Sequence, residues 1–200
     1  KRARVAIIGA GVVGENALTC TDNRGTTARI LDINLKKLTY LDDIYGNKIQ
    51  TLYSNKLNLE YAIKRADLVI GAVLLPGARA PKLIKREYYK DMRPGSVIVD
   101  VAIDQGGSTE VSRPTYHDKP TYLVDGIVHY MVANMPGAVP MTSTKAFNNA
   151  TFRYGLLIAD KGLEKAMEIS MPLKYGVNIY NGEVTCQGVA EAFDLPYKEL

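Results

Sequence analysis

Residues 5–14, VAIIGAGVVG, decide the fold, because an apolar run here leads directly into a glycine-rich turn. Residues 5–8 show no polar alternation, which is typical of a strand buried on both faces of a sheet. The glycines that follow have the spacing G-x-G-x-x-G, and the residues after Gly14 can begin a helix. A strand, a glycine turn and a helix in this order predict a phosphate-binding βα unit.

Each position of the glycine turn has its own expected role. Gly9 permits the tight turn, Gly11 lets the backbone approach a pyrophosphate, and Gly14 lets the helix pack closely on the strand. Val12 and Val13 open the helix, whose N-terminal amides and dipole favour a bound anion. We therefore expect all five residues to take part in binding a dinucleotide.

Asp32 ends the second predicted strand, residues 28–32, and follows Gly14 by eighteen positions. A carboxylate at this place binds the adenosine ribose hydroxyls of a dinucleotide. It also repels the additional phosphate of NADP, because both groups are negative. The sequence thus predicts NAD as the cofactor.

The remaining pattern alternates strands with short helical segments, which predicts a doubly wound parallel sheet, an α/β fold of the Rossmann type. Asn34 can cap one of the helices. The other predicted strands are residues 48–53, 66–73 and 96–101, with a sixth from either 121–124 or 126–132. The predicted helices are residues 35–44, 59–65 and 82–92, and a long one at 139–165.

We expect two domains, a dinucleotide-binding domain at residues 1–140 and a second at 141–200. The second should contain the long helix, a hairpin that turns at Asn181-Gly182 and a short helix near Ala190. Residues 19–27 fit the pattern poorly, because they are polar where the helix after Gly14 needs an apolar stripe. That helix is expected to be short and frayed, unless the sequence there is unreliable.

Three loops should lie at the carboxyl ends of the strands, where open parallel sheets bind ligands. Residues 71–81 hold two prolines and small residues, which favour a rigid ledge for the adenosine side, although a plain surface loop is the alternative. Asp104, before two glycines, can bind the nicotinamide ribose, orient a reacting group, or simply cap the next segment. Asn134 offers donor and acceptor groups, while Met135 either covers the nicotinamide or packs in the core.

Composition excludes several classes of function. The chain has 25 basic and 21 acidic residues spread along its length, and no basic block that predicts a nucleic-acid partner. Cys20 and Cys186 lie far apart without a CxxC motif, which suits a reducing, cytoplasmic compartment and predicts no metal site. The sequence has no signal peptide and no long apolar run, so it predicts no membrane partner. Because the first strand begins almost at Lys1, we expect the chain to be part of a longer polypeptide.

Two strings, AIDQGG at residues 102–107 and ANMPGAVP at 133–140, are specific, and together with GAGVVG they resemble the alanine dehydrogenase family. The resemblance covers nearly the whole chain and corresponds to the C-terminal two-thirds of the family's proteins. It implies reversible, NAD-dependent oxidative deamination of L-alanine to pyruvate and ammonia by a homo-oligomer, a hexamer in this family.

The resemblance also implies roles for individual residues. Asp104 and Asn134 would be catalytic, the former near the nicotinamide and the reacting carbon. The family's substrate-binding Arg and Lys and its catalytic His lie in an N-terminal region that these residues do not include. His117 and His129 are interpreted as structural or surface residues. The residues implied to bind the cofactor, besides the glycine turn and Asp104, are Asp32, Lys37, Ser54, Val73, Leu74, Val101, Val132 and Met135.

Two other interpretations stay open. The chain also resembles the NAD-binding part of a proton-translocating transhydrogenase α subunit, although the AIDQGG string fits alanine dehydrogenase better. It could instead be a non-catalytic NAD-binding fragment. Under the main interpretation, residues 1–200 alone bind NAD but turn over alanine slowly or not at all.

Overall fold

The structure is a computed structural model that describes residues 2–22 and 24–200. Its contacts divide the chain into two compact units. The first, called here the sheet unit, holds the chain up to Leu75 together with Ala80–Ala133. The second, the C-terminal unit, holds Pro76–Arg79 and Asn134–Leu200. The predicted boundary at residue 140 lies a few residues beyond this division.

Seven strands of the described residues form one sheet: β1 (Arg4–Ile8), β2 (Thr27–Asp32), β3 (Ile49–Tyr53), β4 (Leu68–Gly71), β5 (Val97–Asp100), β6 (Thr121–Val124) and β7 (Ile127–Tyr130). Their order in the sheet is β3-β2-β1-β4-β5-β7-β6. All neighbours pair in parallel except β6 and β7, which are antiparallel. The strand order reverses between β1 and β4, so the crevice at their carboxyl ends is the expected ligand site of this α/β Rossmann fold.

The first strand is apolar from Val5 to Ile8 because it has a hydrophobic core on each side. Ala6 and Ile8 belong to one buried cluster, and Val5 and Ile7 belong to the other. The helices of this unit lie between the early strands. They are α1 (Val12–Asp22), α2 (Leu35–Tyr45) and α3 (Lys56–Lys64).

Both segments proposed for the sixth strand are strands, because a tight turn joins them. Asp125 and Gly126 have φ values of 50° and 78°, which are typical of a two-residue type I′ hairpin turn. β7 then pairs in parallel with β5, and β6 forms the antiparallel edge.

The helix predicted at residues 82–92 is wrong. Ile84 is extended and pairs with the 108–110 segment, its amide donating to the Ser108 carbonyl at 3.0 Å. A 3₁₀ turn at Arg86–Asp91 follows and buries Tyr88 and Tyr89. The backbone pairing of Ile84 competes with the helical hydrogen bonds that the sequence pattern suggested.

The first helix continues through the first four residues of the polar stretch and ends at Asp22, so it has eleven residues and is not the short, frayed helix that was expected. Two of its threonines return hydrogen bonds to the helix, Thr19 Oγ1 to the Glu15 carbonyl and Thr21 Oγ1 to the Leu18 carbonyl. These bonds satisfy the polar side chains locally. Asn23, within the polar stretch, lies outside the described residues.

The C-terminal unit is mainly helical and adds no strand of the described residues to the large sheet. The long helix ends earlier than predicted, because Gly162 has a φ of 77°. The predicted hairpin at Asn181-Gly182 and the short helix around Ala190 are confirmed. The elements are α4 (Pro140–Lys161), α5 (Leu163–Ile169), α6 (Met171–Gly176), β8 (Ile179–Tyr180), β9 (Glu183–Val184) and α7 (Gln187–Phe193).

Candidate dinucleotide-binding site

The three glycines of the turn differ in what surrounds them. Gly9 has a φ of +102°, and a Cβ there would lie 2.7 Å from the Ala72 carbonyl oxygen. A Cβ at Gly14 would collide with the Gly9 carbonyl, so α1 can pack on β1 only with glycine here. At Gly11 a Cβ would meet no described atom within 4 Å. The space beside Gly11 is therefore open to a ligand, while Gly9 and Gly14 are needed by the backbone itself.

Asp32 stands at the end of β2 and joins the glycine turn to the next helix. Its Oδ2 accepts a hydrogen bond from the Ala10 amide at 2.6 Å. Its Oδ1 accepts one from the Asn34 amide at 2.8 Å. The half-buried carboxylate is thus held beside the turn, and each oxygen keeps a lone pair for a further donor such as a ribose hydroxyl.

A pocket of about 770 Å³ opens at the carboxyl ends of the strands, within the size range of nucleotide and cofactor sites. Its wall is mainly apolar, and several of the apolar side chains are unusually exposed for their type, Val12 at 80% and Leu74 at 66%. Such exposed apolar surface in a concave site favours a ligand that presents apolar surface of its own. The residues named from the sequence that line the pocket are Gly9, Gly11, Val12, Val13, Asp32, Ser54, Val73 and Leu74.

Lys37 lies in the first turn of α2 and is tied to Glu15 of α1. Its Nζ donates to Glu15 Oε2 at 2.6 Å and lies 4.6 Å from the ring centroid of Tyr40. Neither Lys37 nor Glu15 forms part of the pocket wall. Ser54, by contrast, lines the pocket, and its amide donates to the Asp32 carbonyl at 2.9 Å.

The loop after β5 is built around Asp100, which the sequence analysis did not single out. Asp100 is fully buried, and its carboxylate accepts four hydrogen bonds. Val101 and Asp104 lie on the 3₁₀ turn Val101–Gln105 that this carboxylate caps, and Asp104 is exposed. The four donors are the amides of Ala102 and Ser108 and the hydroxyls of Ser108 and Ser112.

Lys82 is a second residue that sequence reasoning missed. It lines the pocket, and its Nζ donates to the carbonyls of Gly106 and Gly107 at 2.5 and 2.8 Å. The loop that carries Asp104 is therefore fixed from inside by Asp100 and from the pocket side by Lys82. The acidic end of a buried strand, as at Asp32, was the signal that could have identified Asp100.

The last predicted loop is divided between the two units. Val132 belongs to the sheet unit and is fully buried, which leaves it no surface in this chain for a ligand to contact. Asn134 and Met135 belong to the C-terminal unit. Asn134 is exposed, with a left-handed φ of 53°, and Met135 begins a 3₁₀ turn. Their roles beside a nicotinamide remain predictions.

His129 is a core residue of the sheet unit. Its Nδ1 donates to the Ile127 carbonyl at 3.0 Å, so Nε2 is the acceptor for the Tyr89 hydroxyl at 3.0 Å. Its ring also stacks on Tyr122. Burial lowers the pKa of His129 and raises that of Tyr89, which keeps both groups neutral near pH 7. His117 is exposed in a turn.

The fold, the glycine turn, the strand-end carboxylate and the pocket together define a dinucleotide-binding domain of the Rossmann class, as found in nicotinamide-dependent oxidoreductases. Residues 1–187 match the family described as "Alanine dehydrogenase/PNT, C-terminal domain". The chain belongs to this family, whose cofactor is NAD. Among the described residues, no helix combines the length and apolar character needed to cross a bilayer.

Individual relatives agree with this assignment. Alanine dehydrogenase 2 of Staphylococcus aureus (strain USA300) is 52% identical over all 200 residues, which cover 54% of that protein. A solved L-alanine dehydrogenase matches with a TM-score of 0.84 and 46% identity over 97% of this chain and 54% of its own. A Sinorhizobium meliloti transhydrogenase matches with a TM-score of 0.60 and 26% identity over 68% of this chain and 39% of its own. The chain thus spans about half the length of the alanine dehydrogenases it matches.

Proposed function

We propose that this chain is the cofactor-binding portion of an NAD-dependent alanine dehydrogenase, which converts L-alanine to pyruvate and ammonia and runs the reverse reductive amination. The observation that carries the proposal is the placement of Asp32, bonded to the Ala10 amide within the wall of the pocket. In a member of this family, that arrangement supports binding of NAD with its adenosine ribose against Asp32.

Different residues of the sheet unit would bind different parts of the cofactor. The amides around Gly11 and the N-terminus of α1 would bind the pyrophosphate. Asp32 would bind the ribose, with Ser54 and Lys37 toward the adenosine, while Val73, Leu74 and Val101 would line the groove. When bound, NAD supplies the ring that accepts a hydride from the alanine α-carbon. This chain's contribution would be to fix its position and exclude water.

Asp104 would act at the nicotinamide end. It is exposed on a turn that Asp100 and Lys82 hold in place, so its carboxylate can reach a ligand without ordering the loop first. There it would stabilise positive charge on the oxidised nicotinamide and accept or orient a proton of the substrate. Asn134 would contribute donor and acceptor groups to the substrate, and Met135 would cover the nicotinamide.

The substrate also needs a cation for its carboxylate and a base near neutrality for its amine, which are typically Arg or Lys and His. The family's groups of this kind lie in an N-terminal region. We therefore propose that residues 141–200 form the C-terminal part of a substrate domain. We also propose a cytoplasmic homo-oligomer, a hexamer as in the family, which light scattering on the full-length enzyme would test.

The cofactor part of the proposal is tested by titrating the chain with NADH and NADPH. The wild type should prefer NADH, and the variants Asp32→Ser and Asp32→Ala should narrow that preference, because the repulsion of the 2′-phosphate disappears. Equal affinity of the wild type for both would contradict the placement of Asp32 at the ribose.

The catalytic part is tested by complementation. The 200-residue chain alone should bind NADH but show little or no NADH production from alanine. Supplying the N-terminal half of an alanine dehydrogenase, fused or co-expressed, should restore it. Robust alanine turnover by the isolated chain would show that the substrate groups lie within these residues.

Because the chain is also similar to a transhydrogenase, transhydrogenation is a second candidate function that the same experiment tests. The same complemented protein would be offered NADPH and an NAD analogue in place of alanine. Hydride transfer between the two nucleotides, without alanine turnover, would favour the transhydrogenase. Absence of both activities in a complemented protein that binds NADH would favour a non-catalytic NAD-binding fragment.

A further inference from the structure

Asp32, Lys37 and Glu15 lie at or beside the start of the dinucleotide site, whose wall also contains Lys56, and the proposed function uses the first two. Asp32 and Lys37 have assigned places at the adenosine, but Glu15 has none. Glu15 lies in the first turn of α1, and its Oε2 accepts a hydrogen bond from Lys37 Nζ at 2.6 Å. Both side chains are 30% exposed, so they contact each other at the surface beside the site.

A chain of hydrogen bonds fixes these charges relative to Asp32. Asp32 Oδ1 accepts from the Asn34 amide at 2.8 Å, and Asn34 Oδ1 accepts from the Lys37 amide at 3.1 Å. On the other side, Asp32 Oδ2 accepts from the Ala10 amide, one residue before Gly11. The Gly11 carbonyl accepts the Glu15 amide at 2.9 Å. The first turns of α1 and α2 are thus both tied to the same carboxylate.

This arrangement bears on the choice between NAD and NADP. Sites that accept a 2′-phosphate carry a free cation near the end of the second strand. Lys37, five residues after Asp32, is a cation in that region. Its ammonium, however, is already paired with a carboxylate, and the local charge of Asp32, Glu15 and Lys37 adds up to minus one.

We propose that Glu15 is a specificity-determining residue, which excludes NADP by occupying Lys37. Asp32 repels the 2′-phosphate directly, and Glu15 prevents Lys37 from attracting it. This inference rests on the proposed binding of NAD at this pocket. It requires only that the dinucleotide ribose lies at Asp32, and it is independent of the reaction that the complete enzyme performs.

The test is a titration of the 200-residue chain and its variants with NADH and with NADPH at low salt. Binding is measured by the fluorescence of the nucleotide. Glu15→Gln should raise the affinity for NADPH relative to NADH by about fivefold, the effect of one partly exposed ion pair. The double variant Asp32→Ser/Glu15→Gln makes the local charge positive and should prefer NADPH. The gain from Glu15→Gln should shrink in 0.5 M salt, because exposed charges are screened.

Two further variants separate the proposed contact from a general change of charge. Glu60→Gln removes the same charge from a Glu–Lys pair of α3, where Lys64 keeps Asp91 as a partner, and should leave the nucleotide preference unchanged. Lys37→Gln leaves the charge of Glu15 uncompensated and should lower the affinity for NADPH below that of the wild type. Glu15→Gln/Lys37→Met should lose the gain of Glu15→Gln.

The outcomes are distinguishable. The inference is overturned if Glu15→Gln behaves like Glu60→Gln, or if its gain in NADPH affinity persists without Lys37. If Glu15→Gln does not fold, Glu15→Ala, which also releases Lys37, is titrated in its place with the same expected gain. A wild-type chain that binds neither NADH nor NADPH would instead overturn the proposed function, and this inference with it.

Discussion

Replacing Asp100 with Asn should destabilise the sheet unit far more than its conservative chemistry suggests. Asp100 Oδ1 accepts bonds from the Ala102 amide and the Ser108 hydroxyl, at 3.2 and 3.0 Å. Its Oδ2 accepts bonds from the Ser108 amide and the Ser112 hydroxyl, at 2.6 and 2.9 Å. Each carboxylate oxygen therefore faces one backbone N–H and one hydroxyl, and the residue is fully buried.

An asparagine at this position cannot accept from both backbone N–H groups in either orientation of its side-chain amide. Whichever side its amide nitrogen takes, that nitrogen meets a backbone N–H, and two donors then face each other. The hydroxyl on that side can rotate and accept, but the backbone amide cannot. One buried N–H without an acceptor costs about 1–3 kcal/mol, and the lost charge-assisted bonds add to it. We expect Asp100→Asn to cost about 3 kcal/mol and Asp100→Ala, which empties the site, about 4 kcal/mol.

Urea unfolding of the chain, followed by circular dichroism, measures this cost. With a slope near 2 kcal/mol per molar urea, Asp100→Asn should lower the midpoint by about 1.5 M. Ser108→Ala, which removes one hydroxyl bond, should cost about 1 kcal/mol. Asp104→Asn, on the exposed part of the same loop, should stay within about 0.5 kcal/mol of the wild type. A loss below about 1 kcal/mol for Asp100→Asn would refute the argument that its four bonds cannot be rearranged.

Three further predictions use other parts of the sheet unit. Gly14→Ala should lower the free energy of unfolding, measured with urea, by at least about 2 kcal/mol, because its Cβ meets the Gly9 carbonyl. Gly11→Ala should leave that free energy unchanged and lower the affinity for NADH in titration. In the complemented enzyme, Asp104→Asn should lower kcat strongly with little change in the Kd for NADH, and a change in Kd alone would place Asp104 at the cofactor only. The pKa of His129 is lowered by burial, so the unfolded chain binds a proton first and stability falls as pH drops below about 6.5. His129→Gln should reduce that fall in urea midpoints measured between pH 7 and pH 5, and an unchanged slope would contradict it.

Local signals in the sequence were enough to predict the glycine turn and the strand-end acid beside it. The glycine spacing, the apolar first strand and the acid at the end of the second strand predicted the positions of Gly9, Gly11, Gly14 and Asp32, because this βα unit has a recognisable sequence pattern. Turn chemistry likewise located the hairpin at Asn181-Gly182. The parallel direction of the first five strands was also predictable from the alternation of strands and helical segments, since parallel strands need a crossover between them.

The error at residues 82–92 came from a contact between distant parts of the chain. The 82–92 segment has a helical pattern, but the pairing of Ile84 with residues 108–110 keeps its first part extended. The error over α1 has a local cause: the start of the polar stretch looked unfit for a helix, and hydrogen bonds from Thr19 and Thr21 to the preceding turn make it acceptable. Neither the pairing nor the alternative strands 121–124 and 126–132 could be decided without knowing which backbones meet.

Asp32 and Asp100 show why the sequence reveals one role and hides the other. Both end a buried parallel strand, yet the Asp32 carboxylate lines an open pocket while the Asp100 carboxylate is enclosed. The difference lies in the path that the chain takes after each strand. Asn34 leads the chain into a helix and leaves the carboxylate half-exposed, whereas Ser108 and Ser112 fold back over Asp100. An acid at a strand end therefore marks a binding group only where no later segment returns to cover it. Where one does, the acid serves the loop, and the exposed residue that the loop presents, here Asp104, becomes the candidate for chemistry.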